Sequence, residues 1–357
     1  MKIALLISGG VDSSVALFRL REQGYTDITA FYLKIWLEDE LSYLGRCPWE
    51  EDLEYAREVC ERASVPLRVA SLQREYYDRV VEYVLRELRS GTTPSPDIFC
   101  NQRIKFGAFL EAHDVGFDRI ATGHYALTEE RGGKTILKRG HDRVKDQTYF
   151  LSHLRQEQVA RALFPVGALP KAHVRALARD LELPNRERKD SQGICFLGRV
   201  KYPDFVRHYL GEQVGPIVEK ETGRTLGEHR GYWFHTIGQR QGLGLPGGPW
   251  YVVEKDIARN IIYVTQSARL GEAARRTFEV TRLHWIAGPP EGHHSSAGMR
   301  LETKIRHGPE VRPATITWLE ADRLRVDLDV PDPGIAGGQV AVFYDSEVCL
   351  GGGTIAP

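Results

Sequence analysis

The first apolar run of the chain, Ile3-Ala4-Leu5-Leu6-Ile7, is unbroken by polar positions and too short for a helix. Such a run reads as a strand buried on both faces of a parallel sheet. Val15-Ala16-Leu17-Phe18-Arg19-Leu20 then reads as a helix ending near Gly24. The alternation repeats. Ile28 to Leu33 is a second strand. Trp49 to Ala63 is a helix, preceded by Pro48, with Glu50, Glu51 and Asp52 in its first turn and Leu53, Ala56, Val59, Cys60 and Ala63 as its apolar stripe. Leu67 to Leu72 is a third strand, and residues 74–89 are a second amphipathic helix. Strands alternating with helices predict a parallel sheet covered on both faces, with ligands at the carboxyl ends of the strands.

The next stretches carry polar chemistry. Two prolines and a glycine in Gly91-Thr92-Thr93-Pro94-Ser95-Pro96-Asp97-Ile98-Phe99-Cys100-Asn101 argue against a helix there. Asn101 then caps a helix from Gln102 to Ala112, which puts Cys100 beside a helix N-terminus, where a thiolate is favoured. A buried, inert thiol is the plainer alternative. Asp118 to Tyr125 reads as a strand running into a turn, Lys134 to Lys138 as an outlying strand, and Lys145 to Leu151 as the opening of a helix. Residues 155–210 read as mostly helical, interrupted by Pro165, Pro170 and Pro184.

From about residue 211 helical periodicity fades. Gly238 to Gly248 is a glycine-rich loop, and Tyr251-Val252-Val253 and Ile261 to Val264 are strands around a turn at Asn260. Alternating segments recur at Phe278–Trp285, Arg300–Ile305, Ala314–Trp318, Arg323–Leu328 and Val340–Tyr344, which suggests a small antiparallel barrel. The expected organisation is α/β plus β. A parallel-sheet catalytic domain spans 1–210, with its helical segment at about 155–190. A small central β-rich domain spans 211–274 and a C-terminal antiparallel β-barrel 275–357.

Composition narrows the class. A hydrophobic fraction of 42% in 357 residues suits a folded protein of two or three domains. No run approaches the ~20 apolar residues of a membrane helix, and no signal peptide precedes the first strand, so a cytoplasmic protein is expected. The five cysteines include no Cys-x-x-Cys pair, which argues against a zinc knuckle or a disulfide framework. Cys60 falls on a core stripe, and Cys47 and Cys349 have no assigned role. Formal charge is zero, with 48 basic and 48 acidic residues, yet residues 171–189 and 255–283 each hold six basic and three acidic side chains. Each basic stretch is either a solvated face or a local nucleic-acid contact.

The stretch between the first strand and helix is Ser8-Gly9-Gly10-Val11-Asp12-Ser13-Ser14. Two glycines let the backbone approach a ligand, three hydroxyls add donors, and the helix start adds a positive dipole end. A serine-capped turn without a ligand would need less than this. The Lys-Ser/Thr pair of a Walker A loop is missing. The string resembles the PP-loop of the ATP pyrophosphatases, which split ATP between the α- and β-phosphates and adenylate a substrate oxygen.

Further motifs extend the likeness: Thr93-Pro94-Ser95-Pro96-Asp97 with Cys100-Asn101, Ala121-Thr122-Gly123-His124-Tyr125, Lys145-Asp146-Gln147 before Tyr149-Phe150-Leu151, Gly193-Ile194-Cys195-Phe196, His235-Thr236-Ile237-Gly238-Gln239-Arg240, and Gly338-Gln339-Val340 with Leu350-Gly351-Gly352-Gly353. Together they resemble the tRNA-specific 2-thiouridylases over nearly the whole chain. The sequence departs at Ser95, where that family usually has Asn, and at Gln192 after Ser191, where Ser-Thr is usual.

The resemblance implies an ATP- and Mg²⁺-dependent adenylation of the C2 oxygen of the wobble uridine in a tRNA anticodon loop. Sulfur then displaces AMP. The position matching Cys195 carries a persulfide received from a sulfur-donor protein, such as a cysteine desulfurase or a sulfur relay protein. The position matching Cys100 attacks it, and Asp97 acts as acid or base. By match, Leu6, Ile7, Ser8, Gly9, Gly10, Val11, Asp12, Ser13, Leu33 and Gly123 line the ATP site. Ser95, Pro96 and Asp97 touch the target base. His124, Lys145, Asp146, Gln147, Arg306, His307 and Gln339 face the tRNA. No membrane partner is implied. Two alternatives stand beside this reading. One is a contested [4Fe-4S] cluster held by Asp97, Cys100 and Cys195. The other is a different PP-loop amidotransferase or synthetase, such as those that pass nitrogen to an activated carbon.

Overall fold

Strand β1 (Ile3–Leu6) is buried at every position, and a five-stranded parallel sheet is built out from it. The computed structural model describes residues 1–35, 49–113, 116–190, 201–292 and 298–357. Its next strands are β2 (Ile28–Lys34), β3 (Leu67–Ser71) and β4 (Arg119–Ala121), then a hairpin of β5 (Ala126–Arg131) and β6 (Lys134–Arg139), then β7 (Ala162–Leu163). The sheet order is β3-β2-β1-β4-β7, and every pairing is parallel. The chain steps outward on one side of β1 through β2 and β3, and on the other through β4. That reversal opens a crevice at the carboxyl ends of β1 and β4.

Strand alternation divides the core. Ala4 and Leu6 face one cluster with Phe31, Val84 and Ile104, while Ile3, Leu5 and Ile7 face the other with Val15, Leu17 and Val59. The helix Val11–Glu22 covers the second face. Gly10 caps it, Asp12 lies in its first turn and Arg19 and Arg21 in its last, which matches its dipole at both ends.

Four expectations change here. The stretch at 91–101 holds a helix, Pro96–Cys100, because proline in a first turn gives up an N–H that has no partner there anyway. The winding continues through the wider turns of Asn101–Ala108 into Phe109–His113. Asn101 therefore caps nothing, and Cys100 lies within the helical run rather than beside its start. The helix expected from Lys145 begins at Thr148 and ends at Leu151. The outlying strand, finally, belongs to β6 and has partners far away in sequence.

Those partners lie in the C-terminal half. A small four-stranded sheet comes first, with β8 (Gly215–Glu219), β9 (Thr225–His229), β10 (Trp250–Asp256) and β11 (Ile261–Gln266) in the order β10-β11-β8-β9. Six antiparallel strands follow: β12 (Arg275–Trp285), β13 (Met299–Lys304), β14 (Arg312–Glu320), β15 (Arg323–Asp332), β16 (Val340–Asp345) and β17 (Val348–Ile355). β12 pairs with β17, Val280 opposite Ile355, and closes them into a barrel. The start of β17 keeps an edge that β12 does not cover. β6 fills it, Cys349 opposite Leu137, so a hairpin from the first half extends the barrel sheet.

Candidate active site

The loop after β1 is tied to itself before any ligand arrives. Ser13 Oγ accepts from the Ser8 amide at 3.2 Å, and the hydroxyls of Ser13 and Ser14 each donate to the Gly10 carbonyl at 3.0 Å. The first backbone bond of the helix runs from the Ser14 N–H to the Gly10 carbonyl at 3.2 Å. The amides of Val11, Asp12 and Ser13 therefore stand free of the helix ladder at its positive end. Gly9 has φ +72°, and a Cβ there would meet the Asp52 carbonyl oxygen at 2.3 Å. Gly123, at the end of β4, presses on the loop from across the crevice. A Cβ on it would lie 2.7 Å from the Ser13 nitrogen.

Side chains from later in the chain hold this cradle. Asn185 Nδ2 donates to the Gly9 carbonyl at 2.7 Å and to Ser14 Oγ at 2.9 Å, and Arg188 donates to the same carbonyl at 3.2 Å while pairing with Asp52. Asp12 accepts from Lys171 at 2.6 Å and from the Tyr125 hydroxyl at 2.8 Å. Burial, with the Asp12 charge behind it, pushes the Tyr125 phenol well up. Asp190 gathers Lys145 at 2.8 Å, Lys171 at 2.9 Å and Arg175. Desolvation works against its charge, but the bonds from Lys145 and Lys171 win and hold the carboxyl well below the usual range. Asn185, Arg188, Lys171 and Asp190 carry no loop-like motif, and the sequence alone did not mark them as site residues.

Two cavities meet at the loop. One, of about 300 Å³, is lined by Leu6, Ile7, Tyr32, Leu33, Cys100, Ile104 and Gly123 among others. The second, of about 470 Å³, is lined by Gly10, Val11, Asp97, Asn101, Lys145, Phe150, Asp190 and His307 among others. Ser8, Asp12, Ser13, Lys105, His124 and Gln147 line both. The helical run from Pro96 supplies both walls. Asp97, Asn101 and Lys105 follow one another at intervals of four on the larger cavity, and Cys100 and Ile104 face the smaller. Cys100 is buried, as are Cys60 and Cys349. Burial pushes the Cys60 thiol up to about 12 and Cys349 higher still, which makes both inert core thiols.

The other predicted positions divide. His124 lies between the cavities with Nδ1 2.8 Å from the Thr122 hydroxyl, and burial, then the charge of Lys105, drives its pKa well down, so it is neutral. Lys145 and Gln147 flank the larger cavity, but Asp146 between them turns away and is 1% exposed. Its carboxylate takes hydrogen bonds from Arg139 at 3.3 Å, Lys304 at 3.2 Å and the Thr148 hydroxyl at 2.8 Å. The tRNA-facing side chain expected of Asp146 is therefore corrected to a buried ionic brace.

Arg306 is exposed and paired with Asp332 at 2.7 Å, and the neighbouring His307 ring lies 4.4 Å from that of Phe150. Ser95 is half-buried, its amide bonded to the Tyr83 hydroxyl at 3.2 Å, and Pro96 is buried. Gln339 is half-buried beside Gly338, which abuts Thr92 and Thr93. Cys195, Ser191, Gln192 and Cys47 lie outside the described residues. Among the described residues no helix is long and apolar enough to cross a membrane.

Comparison with known proteins places this geometry. Three family models match in succession: a tRNA methyl transferase HUP domain over residues 1–199, a tRNA methyl transferase PRC-barrel domain over 203–266 and an aminomethyltransferase beta-barrel domain over 275–355. A tRNA-specific 2-thiouridylase MnmA of Parabacteroides distasonis is 47% identical over 99% of both chains. One from Porphyromonas gingivalis is 46% identical over the same shares. A solved structure, the U34-tRNA thiolase NcsA from Methanococcus maripaludis, aligns over 57% of this chain and 64% of its own at 18% identity and TM-score 0.34, too distant to bear on the assignment. The parallel sheet, the small central β domain and the closed barrel follow the three matched models in order, and the chain belongs to the tRNA-specific 2-thiouridylase family.

Proposed function

We propose that this chain uses ATP to activate the C2 oxygen of a tRNA wobble uridine and then replaces that oxygen with sulfur. The observation that carries the reading is the pair of cavities that share the loop as a common wall, with Cys100 on one and Asp97 on the other. The smaller suits an adenosine: it is apolar at Leu6, Ile7 and Leu33 and stripped of a Cβ at Gly123. The amides of Val11, Asp12 and Ser13 suit the β- and γ-phosphates. The larger, with Phe150 and His307 at its wall, suits a base turned out of an anticodon loop, where unstacking is least costly. A phosphate cradle also favours thiolation over the methyl transfer in the family models' names, because adenylation consumes a triphosphate.

Uracil O2 is a poor leaving group. In the proposed first step it attacks the α-phosphorus, the bond to the β-phosphate breaks, and pyrophosphate departs with the electron pair. The N3 proton leaves as the imidate forms, and Asp97 is the carboxylate in that cavity to receive it. Mg²⁺ would supply charge neutralisation on the phosphates, with Asp12 as the loop's own carboxylate. Cys100 then attacks the inner sulfur of a Cys195 persulfide, the S–S bond breaks, hydrosulfide leaves with the electron pair and a Cys100–Cys195 disulfide remains. The hydrosulfide adds at C2, and AMP departs with the electrons of the C2–O bond. Asp190, on the cavity wall, lies five positions before Cys195, and five extended residues reach up to ~17 Å. The donor that loads Cys195 is a sulfur-carrying protein. Lys145 and Gln147 would meet the tRNA at the mouth, with Arg306, His307 and Gln339 on the barrel side.

Replacing Cys100 or Cys195 with Ser is expected to abolish 2-thiouridine formation while tRNA-dependent pyrophosphate release persists. Full thiolation by the double serine variant would overturn the roles given to the two thiols, and wild-type protein that consumes ATP without forming 2-thiouridine would point to a PP-loop enzyme that moves nitrogen.

A further inference from the structure

We infer that Lys105 is a catalytic residue of the adenylation step, its ammonium meeting the non-bridging oxygens of the α-phosphate as uracil O2 attacks. The inference rests on the reading above and adds a residue that the sequence motifs did not single out.

The argument starts from position. If the nucleoside fills the smaller cavity and the uracil the larger, the α-phosphorus must lie where the two join. Six side chains line both cavities, and among the described residues Lys105 is the one lysine or arginine in that set. The other lysines and arginines that line the larger cavity do not line the smaller one. Lys145 is bound to Asp190 at 2.8 Å, Arg188 to Asp52 and the Gly9 carbonyl, and Lys189 is exposed at the rim. Lys171, behind the loop, is held by Asp12 and Asp190. His124, the neighbour of Lys105 at the junction, is neutral and brings no charge of its own.

The scaffold then fixes the stem. Lys105 sits on the wide-turned segment Asn101–Ala108, between the fully buried Ile104 and Phe106. Gln158 Nε2 clamps that segment by donating to the carbonyls of Gln102 at 2.9 Å and Phe106 at 2.6 Å. Wide turns of this kind often mark functional sites. Lys105 thus stands on a clamped wall of the two cavities that the loop also lines, while the loop amides and helix dipole would serve the β- and γ-phosphates. Charge on the equatorial oxygens of the α-phosphate grows as the O2–P bond forms and the P–O bond to pyrophosphate breaks. A fixed cation at that point stabilises the transition state more than bound ATP. Lys105 exchanges no proton in this step.

The test is the rate of tRNA-dependent pyrophosphate release at saturating ATP, with ATP affinity measured separately by equilibrium binding. It needs no sulfur source. Lys105→Met is expected to slow release by a factor of about 10² to 10³ while ATP affinity changes by less than about threefold. Lys105→Arg, which keeps the charge, is expected to recover at least about tenfold of the loss. Lys105→Gln serves in place of the methionine variant if circular dichroism shows that variant unfolded. Release at the wild-type rate by the neutral variants overturns the inference, as does a defect that higher ATP concentration restores. Wild-type protein that releases no pyrophosphate with tRNA overturns the underlying reading and the inference with it. Normal release by wild type and variant alike overturns the inference alone.

Discussion

Lys304 donates to Asp146 at 3.2 Å, and neither side chain is exposed to solvent. The pair joins the last residue of β13 in the barrel to the turn that carries Lys145 and Gln147, so the barrel helps to fix one wall of the larger cavity. Arg139 donates to the same carboxylate oxygen at 3.3 Å. Removing one partner of a buried pair leaves a charge that water cannot reach. Lys304→Met is therefore expected to cost about 3 kcal/mol, at the low end for such pairs because Arg139 remains. Urea unfolding checks it, and a cost under about 1 kcal/mol, the range of an exposed pair, would contradict the brace.

Gly123 and Ser13 define how closely β4 approaches the loop. A Cβ on Gly123 would sit 2.7 Å from the Ser13 nitrogen and 2.8 Å from the Asp12 carbonyl carbon, both backbone atoms that cannot swing aside. Gly123→Ala is expected to push the loop away and weaken ATP binding about tenfold or more, since overpacking of this kind costs about 1–3 kcal/mol. Calorimetric titration with ATP measures the change. Unaltered affinity in a folded variant would show that the loop does not hold the nucleotide.

Burial lowers the pKa of His153 to about 3 and that of His235 to about 4. In the unfolded chain each titrates near 6.5. As pH falls below that value the unfolded state takes up protons that the folded state refuses, so stability drops with acid. By pH 5 the loss is about 2 kcal/mol for each histidine. Unfolding free energies measured from pH 7 to 5 should show this slope, and His153→Gln should remove one proton's share of it. An unchanged slope in that variant would mean His153 is already charged in the fold.

Much of this was written locally in the chain, and the rest was not. β1 and the loop after it were legible because Ile3 to Ile7 is a buried run and Ser8 to Ser14 is a motif whose chemistry is local. Pro96 misled, since proline bars a helix interior but suits its first turn, and the whole wall of Asp97, Asn101 and Lys105 follows from that helix. With the helix recognised, the interval of four between those residues would have exposed Lys105. Asp146 was misplaced because the family match carried Lys145, Asp146 and Gln147 over together as tRNA-facing, whereas its partner Lys304 lies 158 positions away. The pairing of Cys349 with Leu137, which docks the β5–β6 hairpin on the barrel, has no local signature either. Asn185 and Asp190 reach the loop only through tertiary folding.

The central claim is that one fold brings a nucleotide cradle, a splayed uridine and sulfur together. Incubation of the protein with ATP, unmodified tRNA and a persulfide source, followed by mass analysis of the digested nucleosides, tests it most directly. The account predicts 2-thiouridine at the wobble position, formed only with ATP and in step with AMP. Oxygen retained at C2 after ATP has been consumed, or sulfur incorporated without ATP, would contradict it.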